Sequence, residues 1–341
     1  MRLYFTTVIR SAPPLRGGEL VCLDWSRKEI LGRTPLAATN PTLEDPNRRG
    51  NTRGGRGISL VGKEVVVCSY HTLRFFDRDL NPIRDLTHPL MVSLHETCAG
   101  GSGEGDSIWT ASTAVDAALE FDLATGSLLR QFWPREMPGL QQRLGLTPLA
   151  LDKRADNRGL FLGGEHTQDD HHLHLNAVAL FDGEVHALLS RFGTIVNLDR
   201  DLVVVEDRML KGGHNLLIDP EGHALVSHTL GRGVLQYDLR TGKQERRFAF
   251  GAAPAVRSLV RTHDLVYAAK RFLAKRRLLP HTPPRPVFVR GLARHGGFLF
   301  VGISPATILQ IEEKSGELVD LFTYDRRVAA CVHGLEVAPD C

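Results

Sequence analysis

The feature that most constrains the fold is a degenerate repeat of short strand-forming runs, each ending in an apolar residue and an acid. Several runs continue into a tight turn, because a glycine three or four residues after the acid adopts positive φ at little cost. These turns are Asp122 to Gly126, Asp238 to Gly242 and Glu313 to Gly316. Each run and the segment after its turn are predicted to be the third and fourth strands of a propeller blade. The runs are Leu73–Asp77, Ala118–Asp122, Val234–Asp238 and Ile308–Glu312.

The first strand of each unit carries a polar residue at one equivalent position. In chain order these residues are His95, His174, His214, Arg257, Arg290 and His333. From His174 onward the intervals are 40, 43, 33 and 43 residues, close to the ~40–50 residues of a propeller blade. The 79 residues from His95 to His174 are interpreted as one blade plus an insertion. Residues 57–61 belong to the same set, without a polar anchor.

The predicted fold is therefore an all-β, seven-bladed propeller, closed by N-terminal and C-terminal strands that share one blade. A six-bladed ring plus an insertion is the alternative, because the 257–289 unit is short. We expect a single domain over residues 1–341, with insertions at about 40–56, 134–173 and 272–287. Each insertion precedes a first strand, so all three are expected on the face where the first strands begin.

Several segments resemble an uncharacterised bacterial family of β-propeller proteins, distantly similar to the gluconolactonase and NHL-repeat propellers. The matching segments are His174–Asn176, Val289–Ala293 with Phe300–Ser304, and the Gly231–Gly233 turn. The resemblance covers roughly residues 90–340 and implies the propeller fold. It implies no activity, since the family has no settled one.

Equivalent first-strand positions converge on the axis of a propeller, so His95, His174, His214 and His333 are predicted to surround one axial point. Neutral imidazole is the commonest metal-binding side chain, and four of them suit a divalent metal, with Fe(II) favoured and Zn or Ca possible. Carotenoid-cleavage dioxygenases use a four-histidine axial site on a propeller, which is an analogy of architecture and not of sequence.

Other side chains are assigned to the same region. Glu96 and Glu336 are the candidate catalytic carboxylates, and Asp169 and Asp170 could also orient a histidine. Arginine matches an anionic substrate group in two-point geometry. The predicted substrate-binding residues are Arg257, Arg290, His71, His172, His228, Asn176 and Asn215. The two asparagines could alternatively supply oxygen ligands to a divalent cation.

Three functions remain open at this point. The first is a metal-dependent enzyme, of the non-haem iron oxygenase type, acting on a small organic substrate. The second is a divalent-cation lactonase, hydrolase or lyase, and the third is a non-catalytic propeller that binds a ligand or a protein. Histidines at this position could also be purely structural hydrogen-bond partners.

Composition bounds the partners and the compartment. The net charge of +3 and the 7% aromatic content disfavour a nucleic-acid interface. No apolar stretch approaches the ~20 residues of a membrane span, so no membrane partner is expected. The N-terminus lacks the apolar core of a signal peptide, and the five cysteines show no CxxC pairing. We therefore expect a cytoplasmic protein with reduced thiols.

Overall fold

The computed structural model consists of six four-stranded antiparallel sheets, each forming one blade of a propeller. It describes residues 1–10, 12–40, 54–100, 107–159, 171–229, 231–278 and 288–338. The first strands of neighbouring blades lie side by side around the axis. Of the two predicted blade numbers, the six-bladed alternative is the one that the structure has.

In blades 2 and 3 the four strands are consecutive in the chain, whereas blade 1 combines three N-terminal strands with one C-terminal strand. Blade 1 contains β1 (Arg2–Ile9), β2 (Glu19–Asp24) and β3 (Glu29–Pro35), together with β24 (Ala330–Ala338). Blade 2 contains β4 (Ile58–Val61), β5 (Glu64–Cys68), β6 (Thr72–Phe76) and β7 (Pro82–Thr87). Blade 3 contains β8 (Leu94–Gly100), β9 (Ser107–Ser112), β10 (Ala117–Asp122) and β11 (Leu128–Phe132).

Blades 4 to 6 have the same order, with the innermost strand first. Blade 4 contains β12 (Leu175–Phe181), β13 (Glu184–Leu189), β14 (Thr194–Asn197) and β15 (Leu202–Glu206). Blade 5 contains β16 (His214–Ile218), β17 (His223–His228), β18 (Gly233–Asp238) and β19 (Lys243–Ala249). Blade 6 contains β20 (Leu292–His295), β21 (Phe298–Ile303), β22 (Thr307–Glu312) and β23 (Leu318–Thr323).

The shared blade is confirmed. Strand β24 pairs antiparallel with β1, from Arg2 opposite Ala338 to Val8 opposite Cys331. The last strand therefore becomes the innermost strand of the blade that the first 35 residues begin.

The turn chemistry of the repeat is confirmed as well. The amide of Gly126 donates to Asp122 O at 2.9 Å, and the amide of Gly242 donates to Asp238 O at 2.8 Å. Both glycines have positive φ, at 72° and 69°. The turns connect β10 to β11 and β18 to β19, the third and fourth strands of their blades.

In the described part of the chain, two α-helices interrupt the strand order. Helix α1 (Pro138–Leu144) lies in the insertion between blades 3 and 4, and α2 (Pro254–Lys275) lies between blades 5 and 6. The prediction of a first strand at 255–260 is wrong. Val256 and Val260 are buried at a spacing of four residues, the helical period, and Pro254 occupies the first turn, where its missing amide hydrogen costs nothing. The apparent seventh blade is this helix.

The hydrophobic core is divided into six clusters, each packed between two adjacent blades. Phe75 of blade 2 packs in one cluster with Leu119 of blade 3, and Tyr4 of blade 1 packs in another with Val67 of blade 2. This arrangement leaves the axis to the side chains of the innermost strands, where the polar residues lie.

Candidate metal centre on the propeller axis

Six basic side chains, one from each blade, form a layer across the axis, which we call the axial ring. Its members are Arg56, His95, His174, His214, Arg290 and His333. Five of them lie at or just before the start of an innermost strand, and His333 is the fourth residue of β24. The four histidines that the sequence predicted therefore meet at one end of the axis.

The histidine rings lie at contact distance from one another. The centroid of His95 is 5.5 Å from that of His174, 5.8 Å from that of His214 and 6.0 Å from that of His333. The centroids of His214 and His333 are also 6.0 Å apart. Nitrogen atoms of His95, His214 and His333 lie within 4.8 Å of one another, so these three could hold one ion, with His174 against His95.

Threonine hydroxyls fix the orientation of two of the histidines. The hydroxyl of Thr229 donates to Val289 O at 3.0 Å, so it accepts the proton of His214 Nδ1 at 2.9 Å. Thr113 donates to Leu175 O at 2.7 Å and lies 2.8 Å from His95 Nδ1, which is also 3.0 Å from Arg56 Nη1. Each threonine also connects its blade to the next, because the carbonyl that it contacts belongs to the following blade.

This arrangement leaves the other nitrogen of His214 as a bare acceptor. His214 Nε2 is buried and has no hydrogen-bond partner among the described residues, and the ring centroid lies 5.8 Å from that of His95 and 6.0 Å from that of His333. A buried polar atom without a partner costs free energy and calls for an explanation, such as an absent ion or water.

A buried chain of polar groups lies behind His174. His172 contacts His174 Nδ1 through its Nε2 at 3.4 Å, and its Nδ1 lies 3.1 Å from Asp116 Oδ2. Asp116 also accepts the backbone amides of Leu173 and His174, at 3.0 and 3.1 Å. His172 is therefore positioned behind the axial ring and not within it. Asp169 and Asp170 lie outside the described residues.

Arg56 is a member of the ring that the sequence analysis missed. Its Nη1 donates to Leu94 O at 2.6 Å and lies 3.0 Å from His95 Nδ1. The signal was available, since Arg56-Gly57 matches Arg290-Gly291 and His333-Gly334. The glycine lets neighbouring innermost strands approach closely, because a Cβ on Gly57 would lie 2.7 Å from His95 O.

Arg257, which was predicted at this position, lies instead on α2. It is exposed, and its Nε donates to Ala252 O at 2.8 Å. The prediction failed because the segment that contains it is helical. Arg290 is in the ring as predicted, and its Nη1 donates to His333 Nε2 at 2.5 Å.

Three histidines of the ring, His95, His214 and His333, favour the neutral state. Burial, followed by the nearby arginine, keeps the pKa of His95, His214 and His333 well below the usual range. The arginine is Arg56 for His95 and Arg290 for the other two. Burial also lowers the pKa of Arg290, to about 9. Neutral imidazoles are the form that binds metals, whereas two adjacent guanidinium groups oppose a cation.

The two predicted carboxylates lie further along the axis, beneath the histidines. Glu96 and Glu336 line a cavity of about 170 Å³ on the axis, together with Ser59, Cys98 and Asn215. Glu96 accepts the side-chain amide of Asn215 at 2.8 Å, and its Oε1 lies 3.9 Å from His333 Nδ1. Burial raises the pKa of Glu96 well above its usual range and raises that of Glu336 to about 7.

The remaining predicted residues are Asn176, Asn215, His71 and His228. Asn176 donates to Gly213 O at 2.7 Å, and the Oδ1 atoms of Asn176 and Asn215 are buried without a partner. His71 contacts Thr72 Oγ1 at 2.9 Å, and His228 ends β17. Among the described residues, no hydrogen bond or ring contact connects His71 or His228 to the axial ring.

Comparison with known proteins supports the architecture. No protein-family model matches the sequence, and no curated protein is similar to it. A protein of unknown function from Bacteroides caccae superposes with a TM-score of 0.55 at 10% identity, over 98% of this chain and 97% of that one. The chain has a β-propeller fold.

Two further solved structures superpose less well on the propeller. The Neurospora crassa Pan2 WD40 domain matches with a TM-score of 0.47, over 91% of this chain and 75% of that one. The Myceliophteria thermophila Cps50 (Swd1) β-propeller domain matches with a TM-score of 0.49, over 94% and 86%. Both are 10% identical to this chain.

Proposed function

We propose that this propeller is a metal-dependent enzyme whose divalent ion is held by histidines of the axial ring. The support is the buried, unpartnered Nε2 of His214, which faces two other imidazoles and whose lone pair is fixed by the hydrogen bond of Nδ1 to Thr229. Imidazoles that bind metals typically donate their other ring N–H to a neighbouring oxygen. Thr229 provides that oxygen for His214.

The spacing of the rings is close to this assignment. An imidazole bound at about 2.0–2.1 Å has its centre about 3.2 Å from the ion, so three such rings at tetrahedral to trigonal angles lie about 5.2 to 5.5 Å apart. The measured separations among His95, His214 and His333 are 5.8 to 6.0 Å, so the rings must move about 0.3 to 0.8 Å closer when they bind one ion. His174 is the fourth ligand in this proposal, and Asp116 orients it through His172.

Fe(II) is the favoured ion, since an all-nitrogen, neutral ligand set suits it, and it would supply oxygenase-type redox chemistry to a small organic substrate. The chain's own groups then have distinct tasks. Glu96 and Glu336, with raised pKa values, can hold or release protons on the cavity side. Arg290 keeps a buried Nε without a partner, which suits an anionic group of the substrate.

Arg290 also competes with the ion, because its Nη1 donates a hydrogen bond to the lone pair of His333 Nε2. For His333 to bind a metal through that atom, the guanidinium must leave it. A substrate carboxylate that attracts Arg290 would favour this change, so metal and anion binding are expected to support each other.

Metal analysis tests the proposal. Purified protein, reconstituted anaerobically with Fe(II) or with Zn(II) and then desalted, should retain a stoichiometric amount of metal by plasma mass spectrometry. His214→Ala should lose it, whereas the matched control His295→Ala, on β20 outside the ring, should retain it. Metal-free protein whose melting temperature does not change with added metal or chelator would overturn the proposal.

A second candidate is a divalent-cation lactonase, hydrolase or lyase. It is favoured by the two buried, unpartnered amide oxygens of Asn176 and Asn215, since Ca²⁺ prefers oxygen ligands. Retention of calcium that is lost in Asn215→Ala, but kept in His214→Ala, would favour this function over the first.

A further inference from the structure

Helix α2 is attached to the propeller by one part of its length only. Val256 and Val260 are buried in the core cluster between blades 5 and 6, with Leu259 packed partly against it. Asp264 forms a two-point ion pair with Arg232 at 2.7 and 3.2 Å. From Leu265 to the end of the helix the outward face is exposed, and the guanidinium of Arg276 lies over the Phe272 ring at 4.1 Å.

That outward face is apolar. Leu265 is 67% exposed and Phe272, seven residues later, is 52% exposed, so they lie two turns apart on one side of the helix. Val266 and Leu273 repeat this spacing beside them, at 45% and 36%. Ala269 lies between the two pairs. Soluble proteins seldom expose such a continuous apolar stripe without a binding role.

Basic residues border the stripe on both sides. From residue 254 to residue 277 the helix and its final turn contain seven lysines and arginines and one acid, Asp264, which already pairs with Arg232. The basic residues are Arg257, Arg261, Lys270, Arg271, Lys275, Arg276 and Arg277. A helix with a Leu/Phe face and flanking Lys and Arg is the pattern of a segment that lies in a membrane interface.

We propose that α2 docks this protein on an anionic membrane surface, with the stripe from Leu265 to Leu273 inserted among the lipids. The flanking cations fit negatively charged headgroups, while their long aliphatic stems extend the apolar surface. A second copy of the chain fits less well, because it would bring the two sets of basic residues together. The sequence led us to expect no membrane partner. Among the described residues no helix is long and apolar enough to cross a bilayer. Docking on a membrane surface requires neither a helix of that length nor a continuous apolar run.

Docking through α2 would also orient the axial ring. Arg232, which ties down α2, lies in the loop between β17 and β18, and β17 ends opposite the start of β16, where His214 lies. Helix α2 is therefore at the histidine end of the propeller, and that end would face the lipid.

Vesicle flotation with the full chain tests this proposal independently of any metal. Binding to vesicles of phosphatidylcholine with phosphatidylserine should be at least about tenfold tighter than binding to phosphatidylcholine alone, and high salt should weaken it. Phe272→Asp and the pair Lys270→Glu with Arg271→Glu should each abolish flotation. The matched controls Ile83→Asp and Leu129→Asp, at residues that are 50% and 52% exposed on outer strands, should bind like the parent.

A fluorescent variant supplies the depth of insertion. The emission of Leu265→Trp, measured as an increment over the parent protein, should shift to shorter wavelength on anionic vesicles and be quenched by brominated lipid. Circular dichroism and the melting temperature confirm that each variant is folded. Equal flotation of parent and Phe272→Asp, or a concentration-dependent dimer that Phe272→Asp abolishes without lipid, would overturn the proposal.

Discussion

Replacing Arg290 with methionine should tighten metal binding, although it removes a side chain from the centre. Arg290 Nη1 donates to His333 Nε2 at 2.5 Å, so the lone pair of that nitrogen is occupied. A hydrogen bond involving a charged group contributes about 1.5–3 kcal/mol. At about 1.4 kcal/mol per factor of ten, its removal should lower the dissociation constant about ten- to a hundredfold. Loss of the guanidinium charge beside the ion acts in the same direction.

Isothermal titration calorimetry with Zn(II), in competition with a chelator of known affinity, measures this change. The matched control is Arg257→Met, because Arg257 is exposed on α2 and should leave the affinity unchanged. The gain should also disappear in a His333→Ala background, since the freed lone pair is then absent. Unchanged or weaker binding by Arg290→Met in folded protein would refute the idea that Arg290 competes for His333.

Three further predictions concern orientation, titration and packing. Thr229→Val should weaken metal binding up to about tenfold by calorimetry, because His214 Nδ1 loses its nearer acceptor and keeps only Gly212 O at 3.2 Å; Thr194→Val, at another buried threonine, should not. The folded-state pKa of Glu336, about 7, is raised above its usual 4.5, so its stabilising contribution is complete below about pH 4.5 and is lost as pH rises through 7. That loss is at most about 3 kcal/mol. Glu336→Gln should therefore flatten the pH dependence of the free energy of chemical unfolding between pH 4.5 and 7. An unchanged slope would contradict the raised pKa of Glu336. Gly57→Ala should lower the free energy of unfolding by about 2 kcal/mol or more, because the added Cβ would lie 2.6 Å from the Glu96 Cα. Gly32→Ala, where the added Cβ would make only an ordinary contact at 3.5 Å, should change the free energy of unfolding much less. Thermal denaturation measures both variants.

The sequence predicted the presence of a repeat more reliably than it predicted the number of blades. Turn residues and the acid at the end of each third strand are local chemistry, so Asp122 to Gly126 and Asp238 to Gly242 appear where expected. The segment 254–275 misled because Ala255–Val260 is short and apolar, and such a run fits a strand or a buried helical turn equally well.

Some residues of the candidate site could likewise be predicted from the repeat, whereas others could not. The convergence of His95, His174, His214 and His333 follows from a repeated position, which the chain displays directly. The roles of Thr113, Thr229 and Asp116 depend on contacts between blades and with an insertion, far apart in sequence, and no periodicity reveals them. Arg56 lay within reach, since the Arg-Gly pair recurs at Arg290.

The closure of blade 1 has a consequence for biogenesis. His333 belongs to β24, the strand that pairs with β1 and completes the ring of blades. As the chain emerges from the ribosome, five blades can form while β1 still presents an unpaired inner edge. The cluster of histidines therefore assembles only after residues 330–338 have been synthesised, and a chain that stops before them would contain His95, His174 and His214 without His333.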